Sequence, residues 1–134
     1  MKNIILFFLL IIFSLASCKS TQKANTASNC CKDIEPNTTN ILKIPDSYTR
    51  KCGTSQCLQL LENQNLDCVS FKLFTRFGNE IIVFNSDISI RIEDFTKELD
   101  GRLAGLEHSG VYLYIVKYKM NNQCFSNKAH INIL

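Results

Sequence analysis

The chain reads as an all-β protein: an antiparallel β-sandwich of about seven short strands, preceded by a signal peptide and a flexible tether. Three observations carry this reading. Runs of alternating apolar and polar residues recur every 8–15 residues with turn residues between them. The longest such run, Val111 to Tyr118, is β-branched and aromatic almost throughout. No helical period of adequate length competes. With 134 residues there is room for one modest domain. A net charge of +3, from 15 basic and 12 acidic residues, is too small and too mixed for a nucleic-acid or strongly membrane-surface protein.

The first segment, residues 1–17, predicts a lipoprotein signal peptide. Lys2 supplies the positive start, and Ile4 to Phe13 are ten consecutive apolar residues. Such a run is too short to span the roughly 20 residues of a membrane helix, and it fits a signal h-region. Leu15-Ala16-Ser17-Cys18 follows and resembles a bacterial lipobox. Cys18 is therefore the expected lipid attachment site, and the membrane is the expected partner through that lipid. Two or more acyl chains hold stably where one holds reversibly.

Residues 18–40 read as a lipidated flexible tether rich in Ser, Thr, Asn, Gln and Lys. As a coil it would span roughly 26 Å. Cys30 and Cys31 interrupt it. Each is expected to pair with a different distant Cys or with another chain; a redox or metal role is the other reading.

The domain is expected over residues 41–134. Ile41 to Ile44 is a short strand stopped by Pro45, and Leu58 to Leu60 is a second. Val69, Phe71 and Leu73 alternate with Ser70, Lys72 and Phe74 in a third. Gly78-Asn79 is good hairpin chemistry, and Ile81 to Phe84 returns. Ile88, Ile90 and Ile92 alternate in a fifth. Phe95 to Leu99 suggests one helical turn within a loop punctuated by Gly101, Gly105 and Gly110. Val111 to Tyr118 is the sixth strand, Asn121-Asn122-Gln123 turns, and Cys124 to Leu134 runs back.

Of seven cysteines, Cys18 leaves an even six, which in an oxidising compartment suggests a disulfide framework. Local spacing favours Cys52 with Cys57. Cys68 with Cys124 is also favoured, because each begins a predicted strand. About 94 residues bury only roughly 60–65% of their unfolded surface, so such staples matter.

From Ile44 to Leu134 the residues resemble the gliding motility-associated C-terminal domain, the type B sorting domain of type IX secretion. The matching stretches are Leu73-Phe74-Thr75-Arg76-Phe77-Gly78, Val83-Phe84-Asn85-Ser86, Leu99-Asp100-Gly101, Gly105 and Gly110-Val111-Tyr112-Leu113-Tyr114. Phe77 and Leu99 replace the two tryptophans of that family, and the chain has no Trp at all. The family's acidic loop corresponds here to Arg50 to Cys57, which carries no acid. An export signal needs a large cargo, and here only a lipid site and a tether precede the domain. The resemblance implies an immunoglobulin-like sandwich, with Arg76, Phe77, Gly78, Asp100, Gly101, Gly110 and Tyr112 as motif positions. It also implies secretion or motility proteins as partners.

Catalysis finds little support, with His108 and His130 the only imidazoles. Glu93, Asp94, Glu98 and Asp100 read as a solvated acidic insertion, with Asp100 bonding turn amides before Gly101. Tyr112, Tyr114 and Tyr118 share a strand face that is either core or a binding stripe. Lys117, Lys119 and Lys128 read as a soluble edge. The expectation is a non-enzymatic, lipid-anchored envelope protein with a binding or structural role. It needs no cofactor, metal, nucleic acid or small-molecule substrate, and its place is the outer membrane, on the periplasmic face. The alternatives are a type IX secretion substrate displayed at the surface, and a thiol-redox or metal-binding lipoprotein using Cys30, Cys31, Cys52 and Cys57.

Overall fold

The structure, a computed structural model, describes residues 29–32, 34–39, 41–52, 57–60 and 64–134. The expected signal peptide, the expected lipid site Cys18 and the first part of the expected tether lie outside the described residues. The described residues form seven strands in two sheets: β1 (Ser47–Tyr48), β2 (Asn65–Leu66), β3 (Cys68–Phe74), β4 (Glu80–Ser86), β5 (Ile90–Arg91), β6 (Gly110–Met120) and β7 (Gln123–Ile133). Among the described residues one helix, α1 (Ile92–Ala104), lies between β5 and β6. The five-stranded sheet has the order β1-β7-β6-β3-β4, and β2 pairs with β5 in a separate ribbon. The strand pairings are antiparallel except β1 with β7, and the isolated Asn37–Phe125 bridge is also parallel. The chain is thus mostly β, as the alternating pattern predicts.

The four long strands form where β-branched and aromatic residues alternate with polar ones. The odd-numbered β3 residues Val69, Phe71 and Leu73 are buried, with Tyr112, Tyr114, Val116 and Tyr118 of β6 and Phe125, Ile131 and Ile133 of β7. The tyrosine stripe is therefore core. Phe71 stacks on Tyr114 at 5.9 Å, and Tyr118 stacks on Phe125 at 5.1 Å. The β6–β7 turn places Asn121 and Asn122 at φ of 51° and 60°. Asn tolerates this left-handed region, which a two-residue hairpin needs.

The helix is longer than the single turn expected. Ile92, Phe95, Thr96, Leu99 and Leu103 are its buried residues, an apolar stripe at helical spacing. The period-2 run through Ile92 obscures that stripe in the sequence. Gly101 in the helix interior is unfavourable by about 1 kcal/mol relative to Ala. Surface pairs oppose that loss: Glu93 with Lys97 at 3.2 Å and Glu98 with Arg102 at 2.8 Å. Arg91 and Asp94 add a third at 2.8 Å, which holds the Asp94 carboxyl below its usual range. Phe95 meets Phe71 at 6.5 Å and Phe84 at 5.6 Å, so α1 closes one face of the five-stranded sheet.

Two expected strands take another form. Leu42, Ile44 and Leu58 are buried in the core, yet none lies in a ladder. The Ile44 amide donates to the Leu42 carbonyl at 3.1 Å, and the other two amides find side chains. The Leu42 amide donates to the Tyr118 hydroxyl at 3.0 Å, and the Leu58 amide donates to Asp100 Oδ1 at 2.7 Å.

Candidate interaction face

The second face of the five-stranded sheet is built from the even-numbered residues of β3 and β7 and the odd-numbered residues of β6. Its register gives rows across the three strands. Cys68, Lys119 and Cys124 form the first row, and Ser70, Lys117 and Ser126 the second. Lys72, Ile115 and Lys128 form the third, and Phe74, Leu113 and His130 the fourth. On β4, Asn85 pairs with Ser70 and Val83 with Lys72. Rows lie about 6.6–6.8 Å apart along the strands. The face therefore grades from lysine at one end to apolar at the other.

The lysine end is covered in part by the chain before Ile41. Cys30 is bridged to Cys68 and Cys31 to Cys124, with Cα–Cα distances of 5.6 and 5.7 Å. Asn37 continues the attachment: its amide donates to the Cys124 carbonyl at 2.7 Å, and its carbonyl accepts from Ser126 at 3.0 Å. The favoured pairing of Cys68 with Cys124 is thus corrected. β6 runs between β3 and β7, and two strand spacings of about 4.8 Å exceed the reach of one disulfide. The vicinal cysteines span that gap, each taking a different distant partner. Cys52 and Cys57 are bridged to each other, as their spacing predicts.

Beneath this strap lies a groove of about 520 Å³. Lys32, Lys72 and Lys117 line it with Ser70, Phe74 and Ile115. Lys72 is ion-paired with Glu80 at 3.0 Å. Lys117 and Lys119 lie on an interior strand, so they belong to a face and not to the soluble edge expected of them. The sequence displays these lysines only as the polar partners of an alternating strand.

The apolar end carries Ile81 and Val111, exposed to 41% and 56%, while Val83, 37% exposed, stands in the third row beside Lys72. Phe77 projects beyond it from the β3–β4 turn and is 76% exposed, with the Arg76 guanidinium 4.7 Å from its ring centre. Gly78 holds that turn at φ +84°, where a side chain would be strained.

The remaining motif positions are structural. Gly110 starts β6, and the Tyr112 hydroxyl donates to the His108 carbonyl at 2.8 Å. Gly101 lies inside α1. Asp100 bonds backbone amides as expected, but from the helix and across the fold. Its Oδ1 accepts from the Cys57 amide at 3.1 Å, the Leu58 amide at 2.7 Å and the Tyr48 hydroxyl at 2.9 Å. The Tyr48 hydroxyl is pushed up to about 12, by burial first and then by the hydrogen bond and charge of Asp100. Arg50 pins the loop after α1, donating to the Leu106 carbonyl at 2.5 Å and to Ser109 Oγ at 2.6 Å. Among the described residues no group of three or more His, Cys, Asp or Glu is placed to hold a metal, and no helix is long and apolar enough to cross a membrane. Comparison with protein-family models, curated proteins and solved structures finds no match.

Proposed function

We propose that this chain is a non-enzymatic, lipid-anchored envelope protein that presents one disulfide-tied β-domain to a protein partner. The contact is the apolar end of the open sheet face. The observation that carries the reading is that exposed Phe77, Ile81 and Val111 all lie toward the β3–β4 turn end of the sheet. Contiguous exposed apolar surface marks interaction sites more often than scattered single residues do. The lipobox around Cys18 supports the anchor and the outer membrane, on its periplasmic face. The resemblance to the type B sorting domain supports secretion or gliding proteins as the partner class. It also supports an immunoglobulin-like origin for the fold, with α1 and the β2–β5 ribbon in the place of a full second sheet. The engagement of Cys30, Cys31, Cys52 and Cys57 in bridges weighs against a thiolate metal site.

The test is site-specific photocrosslinking in intact cells. Probes at Val111 and Phe77 are expected to capture one discrete partner, while a probe at Lys97 on α1 captures none. Val111→Asp is expected to abolish capture through Phe77 without a change in melting temperature. Equal capture from all three positions, or none from Val111 and Phe77, would refute the reading.

A further inference from the structure

We infer that the lysine end of the open face rests on anionic phospholipid headgroups of the membrane that holds the lipid, and so orients the domain. This rests on the proposed anchoring through Cys18. Net charge alone gives no hint of it, because +3 is spread over 134 residues. Position does. Lys119 stands in the row between the two bridged cysteines, Lys117 stands one row beyond, and Lys72 and Lys128 flank the next. Lys32 follows the strap directly and lines the same groove. Lys72 has Glu80 as partner, whereas Lys117, Lys119 and Lys128 make no ion pair among the described residues. Asp67 and Asp87 lie beside the strap and lower the local excess without cancelling it.

The chain's own connectivity selects the membrane as occupant. Cys30 lies twelve residues after Cys18. Even fully extended, that stretch covers only about 40 Å. It meets the fold at the strap, so the lysine end is the end held toward the bilayer. The apolar end, at the opposite ends of β3 and β6, is the end turned away. Acyl chains supply attachment but do not fix which side of a domain faces the lipid. A basic patch does: each lysine near an anionic surface shifts the equilibrium about fivefold. The contact decays over about 8 Å at physiological ionic strength, so only the face itself takes part. The two ends of one sheet thereby take different roles, headgroups below and a protein partner above.

The mature chain, lipid included, is reconstituted on vesicles of phosphatidylcholine alone or mixed with phosphatidylglycerol. An amine-reactive label is followed lysine by lysine with mass spectrometry. On the anionic vesicles Lys117 and Lys119 are expected to label about fivefold more slowly than on the neutral ones, and high salt restores their rate. Lys97 on α1 labels equally on both. In Lys117→Glu/Lys119→Glu, the slowing at Lys128 is lost. Equal labelling of Lys117 and Lys119 on the two vesicle types overturns the inference. So does slowing on both, which reports contact between copies, or slowing that includes Lys97. The wild-type comparison decides even if the double variant misfolds. A mature Cys18 without acyl chains refutes the anchoring instead, and the same labelling with the chain added from solution then decides the lysine face separately.

Discussion

The Tyr48 hydroxyl donates to Asp100 Oδ1 at 2.9 Å, and through that one oxygen a strand residue, a helix residue and the Cys57–Leu58 backbone are joined. Removing the carboxylate takes this acceptor from the Cys57 and Leu58 amides, while the Tyr48 hydroxyl keeps the Asp100 backbone carbonyl at 3.1 Å. Hydrogen bonds to charged groups contribute about 1.5–3 kcal/mol each, and these three share a centre, so they do not add. Asp100→Ala is expected to cost about 2–4 kcal/mol in urea denaturation. Asp100→Asn keeps an acceptor oxygen in the same place and is expected to lose less than half of that. Equal losses would mean that the charge, and not the acceptor, holds the site.

The same contact sets a pH limit. Tyr48 moves from 10.0 to about 12 because burial, then the hydrogen bond and charge of Asp100, favour its neutral form. A group raised on folding contributes stability that is full below its unfolded value and is lost as pH climbs through its folded value. The loss attributable to Tyr48 is therefore expected between about pH 10 and 12. Lysines titrate there too, so the measurement is a difference: the melting temperature of wild type against Tyr48→Phe across that range. The gap is expected to narrow with rising pH, and a constant gap would refute the assignment.

The three bridges close loops of very different size, with sequence separations of 93, 38 and 5 residues. Chain entropy gives about 4.6 kcal/mol for the longest, about 3.9 kcal/mol for the second and about 2 kcal/mol for the short one. Cys31→Ser/Cys124→Ser is therefore expected to lower stability more than Cys52→Ser/Cys57→Ser. Opening both long bridges removes about 8 kcal/mol, comparable with the whole stability of a small domain. That variant is expected to lack cooperative unfolding by circular dichroism.

These bridges also mark where the sequence stops being readable. β3, β4, β6 and β7 announce themselves, because Val69/Phe71/Leu73 and Tyr112/Tyr114/Val116/Tyr118 alternate with polar neighbours. Strand order does not, and without β6 placed between β3 and β7 the direct Cys68–Cys124 bridge looks natural. Helix α1 is hidden because Ile88, Ile90 and Ile92 lead into it with strand spacing, while Gly101 and Gly105 suggest a loop. Leu42 and Leu58 show their burial but not their lack of ladder partners, which Tyr118 and Asp100 replace from far along the chain. The interaction face fares likewise. Lys72 and Lys117 read only as the outer half of two strands, and their meeting across the register is a tertiary fact. Phe77 is legible as a motif position, but its exposure is not.

Arg102 guards the free edge of the sheet. Its Nη1 donates to the Val83 carbonyl at 2.9 Å, and its guanidinium lies 5.5 Å from the Phe84 ring centre. Nε is held by Glu98 at 2.8 Å, so the fork is oriented by its own helix. β4 is an edge strand, and Asn85, two residues from Val83 along the regular part of the ladder, presents its backbone groups outward in the same way. Such an edge, with Ile81 and Val83 exposed beside it, is a template for another strand. A charged side chain bonded to its central carbonyl blocks that pairing. Arg102→Ala is expected to cost under about 1 kcal/mol, since the residue is partly exposed. Its larger effect is on association: sedimentation velocity should show concentration-dependent oligomers that wild type lacks. Arg102→Lys retains the charge but not the planar fork, so it is expected to fall between the two. If Arg102→Ala stays monomeric, the guanidinium serves only to fasten α1 to β4, and the edge is protected by another feature of the strand.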